Sequence, residues 1–120
     1  MDVINRDDVK PFTTKDSSEI REILAPRNSG IRRQSLAEAR LLPGRSTEEH
    51  YHIQTEEIYY ILSGRGQIIV NGEKRDVEKH DGIAIPPGTR HKITNTGPED
   101  LIFLCCCVPA YEDDDTVMTG

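Results

Sequence analysis

The sequence predicts an all-β domain, a sandwich or barrel of short strands. Turn-forming pairs recur from residue 43 onward: Pro43-Gly44, Ser63-Gly64, Asn71-Gly72, Asp81-Gly82, Pro87-Gly88 and Gly97-Pro98. Short segments rich in Ile, Val, Tyr and Leu lie between them. That alternation of apolar runs and turn residues is the pattern of packed antiparallel sheets. The third observation is a strand apolar on both sides. Period 2 puts Glu57, Tyr59 and Ile61 on one face and Ile58, Tyr60 and Leu62 on the other. One face looks into a barrel; the other has to pack on a second sheet, a helix or another subunit.

Residues 1–33 read as an N-terminal arm with one short helix over 17–24. Asp16 or Ser17 would cap it, Ile20, Ile23 and Leu24 share one face, and the segment from Pro26 to Gly30 ends it. The barrel is expected over 34–108. Its strands fall at 34–42, 49–53, 58–63, 67–71, 74–78, 82–85, 91–95 and 101–108. Asn71-Gly72 sits between two of them and predicts a tight hairpin with a type I′ turn. Residues 109–120 carry Glu112, Asp113, Asp114 and Asp115 and read as a loosely held acidic tail.

A chain of 120 residues suits one domain. With 35% apolar and 30% charged residues, its core has to be small or shared with a partner subunit. The net charge of −6 argues against nucleic acid and against an anionic membrane surface. No apolar run approaches the roughly 18 residues of a spanning helix. Residues 1–15 are polar and lack the apolar segment of a signal peptide, so a cytoplasmic protein is expected. Cys105, Cys106 and Cys107 are consecutive, lack metal or redox spacing, and read as reduced thiols in a strand. One of them can face the interior.

The chemistry concentrates in 48–57, EEHYHIQTEE. On a strand, His50 and His52 point the same way, about 6–7 Å apart, with Tyr51 facing away. Glu57 shares its parity with the apolar inward set Tyr59 and Ile61. A carboxylate on such a face needs a partner, and a cation held with two imidazoles is one. Glu56 has the opposite parity and is expected in solvent. His91, on a later strand with Ile93 on its face, adds a third imidazole. Three imidazoles and one carboxylate suit iron, manganese, cobalt, nickel or zinc.

The run Gly44, His50, His52, Glu57 and Gly64 fits G(x)5HxH(x)3–4E(x)6G at every fixed position. Pro86, Gly88, His91 and Asn95 fit PxG(x)2H(x)3N. In both, the chain resembles the cupin superfamily, in particular its small single-domain members. It departs where that family's second motif opens with glycine: His80 stands there, and the glycine is displaced to Gly82. The resemblance implies a jelly-roll β-barrel holding one divalent transition metal on His50, His52, Glu57 and His91, with positions left open for water, substrate or dioxygen. His80 reads as a turn or surface residue. Tyr59, Glu38, Arg40 and Gln67 are candidates to line the pocket. The resemblance implies a dioxygenase, isomerase or epimerase, decarboxylase or lyase on a small polar metabolite, with iron or manganese and oxygen-requiring or isomerising chemistry favoured. A non-catalytic sugar or organic-acid binding module is the alternative. A homodimer is expected from the doubly apolar strand. No HExxH motif supports a zinc hydrolase.

Overall fold

The computed structural model describes all 120 residues. Eleven strands form two antiparallel sheets. In chain order they are β1 (Phe12–Thr13), β2 (Glu19–Leu24), β3 (Ser35–Leu41), β4 (His50–His52), β5 (Glu56–Ser63), β6 (Arg65–Val70), β7 (Glu73–Glu78), β8 (Gly82–Ile85), β9 (His91–Asn95), β10 (Leu101–Val108) and β11 (Thr116–Met118). One sheet runs β1-β2-β3-β10-β5-β8 and the other β11-β4-β9-β6-β7. The chain changes sheet repeatedly, as a jelly roll does.

Period 2 explains the packing. In β10 the odd residues Leu101, Phe103, Cys105 and Cys107 are buried and the even ones are not. In β5 the inward set is Glu57, Tyr59 and Ile61. These meet Ile68 from β6, Ile93 from β9, and Ala39 and Leu41 from β3 in a single core between the sheets. The Tyr59 and Phe103 rings lie 4.7 Å apart at that centre. Burying side chains of this size stabilises the fold by roughly 1.5–3 kcal/mol each.

The β6–β7 hairpin has the tight turn that Asn71-Gly72 predicts: φ is 48° at Asn71 and 84° at Gly72, with Val70 opposite Glu73. Gly64 needs its lack of a side chain. Its φ is 84°, and a Cβ there would stand 2.6 Å from the Asp100 carbonyl oxygen.

The structure corrects the reading of both chain ends. Residues 17–24 do not form a helix. Glu19–Leu24 is a strand, paired with β3 through Ile20↔Ala39 and Glu22↔Ala37, and the only helical turns are 3-10 turns at Arg6–Asp8 and Asp113–Asp115. Ile20, Ile23 and Leu24 have helical spacing, but a tertiary edge outweighed it: β3 offers β2 a full ladder. The strand reading looks wrong in sequence because period 2 turns Glu22 inward beside Ile20. Arg27 resolves that by pairing with the Glu22 carboxylate. The acidic tail is not loose either. Asp115 accepts the backbone N–H groups of Gln54 and Thr55 at 2.9 and 3.0 Å, and Thr116–Met118 pairs with β4.

Candidate metal centre

Two strands of one sheet and one of the other bring the candidate residues together. His50 and His52 lie on β4 with their side chains inward, both nearly fully buried, and Tyr51 points away. His91 opens β9 directly opposite His50 in register. Glu57 enters from β5 in the facing sheet. The turn before His91 is pinned to β4, since the Gly88 N–H donates to the His52 carbonyl at 2.7 Å. One nitrogen from each of the three rings lies within 4.8 Å of the others, a grouping that could hold a metal ion.

Each ring's orientation is set by the hydrogen bond at its other nitrogen. His50 Nδ1 lies 2.8 Å from the Glu48 carbonyl and His91 Nδ1 lies 2.9 Å from the Thr89 carbonyl. A carbonyl only accepts, so both Nδ1 atoms carry the proton. His52 Nδ1 lies 3.1 Å from the Thr116 hydroxyl, which donates its own hydrogen to the Glu112 carbonyl. Thr116 therefore accepts, and His52 carries its proton on Nδ1 as well. With a single proton, on Nδ1, each ring turns an Nε2 lone pair inward, the tautomer a metal requires.

The fourth group meets those lone pairs. Glu57 Oε1 lies 3.3 Å from His52 Nε2 and 3.5 Å from His91 Nε2, yet all three atoms are buried without a hydrogen-bond partner. Acceptors facing acceptors in a dry interior repel unless a cation lies among them. The residues present thus fit a divalent metal. Burial opposes the Glu57 charge; protons on His52 and His91 would offset it and hold the carboxyl at about 2, and a metal among the same atoms would take the place of those protons. Burial above all pushes the His50 imidazole below its ordinary range.

Comparison with known proteins agrees with this arrangement. The model for the cupin domain matches residues 37–107. The chain belongs to the cupin family. This cupin is 50% identical over 110 residues to the uncharacterized protein MJ1618 of Methanocaldococcus jannaschii, covering 92% of the chain and 88% of the relative. It is 33% identical over 94 residues to an oxalate-binding protein of Thermotoga maritima, covering 78% of each. The polyketide cyclase RemF of Streptomyces resistomycificus superposes with a TM-score of 0.84 at 23% identity, over 100% of this chain and 86% of that one, a likeness of fold.

In this cupin the centre opens onto a cavity of about 40 Å³ between the sheets. That is room for about two or three waters. His50, His52, Glu57, Tyr59, Cys105 and Cys107 line it from the barrel, and Asp16, Ser18, Glu22 and Tyr111 from the chain ends. No lysine or arginine lines it. Phe12, Glu22 and Tyr111 also line an outer groove of about 320 Å³, so these three separate the cavity from the surface. Burial raises the Tyr59 phenol well above its usual range, and burial with the Asp113 hydrogen bond raises that of Tyr111. Both stay protonated donors at neutral pH.

The other pocket candidates lie elsewhere. Glu38 and Arg40 stand on the outer face of β3, where Glu38 meets Arg6 at 2.7 Å and Arg40 meets Glu19 and Asp100 at 2.9 and 3.2 Å. Gln67 alternates with the inward Gly66 and Ile68 and so faces out. Period 2 put Glu38 and Arg40 on one face but left open which face it was; the inward side of β3 went to Ala37, Ala39 and Leu41. His80 is exposed in a turn with φ of 80°. Glu56 is exposed. Sequence reasoning missed Asp16, Tyr111 and Thr116, and it left open which cysteine faces inward; Cys105 and Cys107 both do. The period-2 rule already put Cys105 and Cys107 together on one face. Nothing local marked the other three.

Proposed function

We propose that this cupin is a mononuclear metal-dependent enzyme acting on a small polar metabolite, with His50, His52, Glu57 and His91 holding one divalent transition metal. Iron, manganese, cobalt, nickel and zinc all suit this donor set. The observation that carries the reading is the pair of buried Nε2 atoms, on His52 and His91, that face the buried Glu57 Oε1 with no hydrogen-bond partner for any of the three. A bound metal would supply Lewis acidity, or with iron or manganese electron exchange with dioxygen, on the side open to the cavity. The chain's own groups supply the rest. The Tyr59 phenol donates a hydrogen bond to a substrate oxygen, and Phe12, Phe103 and the Tyr111 ring exclude water.

The cavity's charge narrows the substrate. Asp16, Glu22 and Glu57 line it without any basic residue, and Arg27 offsets only Glu22. A neutral hydroxylated or carbonyl compound suits that field better than a phosphate ester or a dicarboxylate. This supports isomerising or oxygen-dependent chemistry over decarboxylation. Likeness to the oxalate-binding protein favours a second reading, a binding module for a small organic acid.

Anaerobic purification with elemental analysis tests the first reading. About one divalent metal per chain is expected, most of it lost in His50→Ala and His91→Ala. A metal-free chain after expression in supplemented medium overturns it. Loaded protein is then incubated with neutral polyols, keto compounds and organic acids, with and without dioxygen, and followed by NMR. Turnover supports the enzyme; an organic acid bound and returned unchanged supports the module.

We also propose a homodimer, formed through the outer face of the six-stranded sheet. Cys106 lies between Leu36 and Ile58 in register, and Leu104 beside Tyr60. Ile58 and Tyr60 are 54% and 40% exposed. This apolar strip lies beside the charged Glu38 and Arg40 on the same face, and a strip so bordered suits a second copy of the chain.

A further inference from the structure

We infer that Asp16, from the turn between β1 and β2, is a fifth protein ligand of the metal centre. The inference rests on the metal reading above and extends the same argument. Asp16 Oδ2 lies 3.6 Å from His50 Nε2. That nitrogen presents a lone pair, because the ring's proton is committed to the Glu48 carbonyl. The contact repeats the relation of Glu57 to His52 and His91: a carboxylate oxygen against an imidazole lone pair, with no hydrogen to join them. One cation on the open side of the three rings resolves both contacts. Two carboxylates and three neutral imidazoles also balance a divalent charge, where Glu57 alone leaves an excess of one.

The turn holds Asp16 for this role. Its Oδ1 accepts the Thr14 hydroxyl at 2.6 Å, the Ser18 hydroxyl at 2.6 Å and the Ser18 N–H at 3.0 Å. Those three bonds fix the carboxylate plane and leave Oδ2 free. The Asp16 carbonyl accepts the Glu48 N–H at 2.8 Å, which ties the turn to the approach to β4. Ser17 takes a φ of 77°, a left-handed conformation. On this assignment the metal joins both sheets and the N-terminal hairpin, and at most one or two coordination positions stay open to the cavity.

Cobalt(II) titration of the purified chain tests it, with affinity read by chelator competition and coordination by the visible absorption spectrum. Asp16→Asn keeps the Thr14 and Ser18 hydrogen bonds while weakening the donor. Affinity is expected to fall on the order of ten- to a hundredfold, with a changed spectrum. Glu22→Gln removes a charge from the same cavity and is expected to leave the spectrum as it is. An Asp16→Asn spectrum identical to wild type overturns the inference, whatever the affinity does, because loss of charge alone explains weaker binding. A wild-type chain that takes up no cobalt overturns the metal reading and this inference together. If Asp16→Asn does not fold, hydrogen exchange of the unmodified chain decides. Metal is expected to slow exchange in the Thr14–Ser18 turn at least tenfold, and unchanged exchange overturns the inference.

Discussion

Cys107 donates its thiol hydrogen to Glu57 Oε2 at 3.2 Å, which leaves Oε1 as the oxygen that faces His52 and His91. Burial, then the Glu57 charge, raises the Cys107 thiol far above its usual range, so it remains a donor at neutral pH. Partners of this kind orient a metal's carboxylate ligand. Cys107→Ala is expected to lower metal affinity on the order of tenfold. Cys107→Ser, which keeps a donor, is expected to retain most of it. Chelator competition measures both, and equal loss in the two variants points to packing instead.

The C-terminal strand bears on the same centre. Thr116→Val keeps the shape of the side chain but removes the acceptor for His52 Nδ1–H. The ring is then free to shift its proton to Nε2. Metal affinity is expected to fall on the order of ten- to a hundredfold, with little change in the metal-free melting temperature. Titration calorimetry and a thermal scan separate the two effects.

Asp115 anchors that strand by accepting two backbone N–H groups. Burial opposes its charge, but the Gln54 and Thr55 bonds outweigh that and lower its carboxyl from the ordinary 3.8. A lowered folded value means that the stabilisation is fully present above the ordinary value. It is lost as pH falls through the folded value. Because the group is partly solvated, Asp115→Asn is expected to cost about 1 kcal/mol at pH 7. The difference from wild type should vanish in acid. Urea melts at a series of pH values from 7 down into acid check this, and a gap that never narrows contradicts it.

The outer sheet face predicts assembly and thiol reactivity together. Light scattering at micromolar concentration is expected to give a dimer, and Tyr60→Arg a monomer. A monomeric wild type removes the dimer. Cys105 and Cys107 are buried, so native alkylation is expected only at Cys106, and faster in Tyr60→Arg than in the wild type. Mass spectrometry after denaturation should find all three labelled.

Most of the strands between residues 34 and 108 were legible because Gly, Pro or Asn turns separate them and period 2 sets their inward faces. The observed bounds differ from the sequence reading by at most two residues. The HxH pair was legible for the same reason: period 2 aims His50 and His52 together wherever that strand lies. Glu57 and His91 were legible only as inward-facing residues with motif spacing. Their approach to His52 depends on two sheets closing over each other.

What the sequence determined by itself was the class of fold, the parity of each barrel strand and the residue types able to hold a cation. These follow from local geometry, since side chains two apart on a strand share a face. Tertiary structure alone decided which sheet edge took the segment Glu19–Leu24, and that Thr116–Met118 would extend the other sheet. It also brought Asp16 to His50, Thr116 to His52 and Cys107 to Glu57. Those contacts join residues 34 to 64 positions apart, and no local pattern encodes such a pairing. Burying β10 and β5 between the sheets fixes them, because only the closed barrel places both chain ends over the cavity.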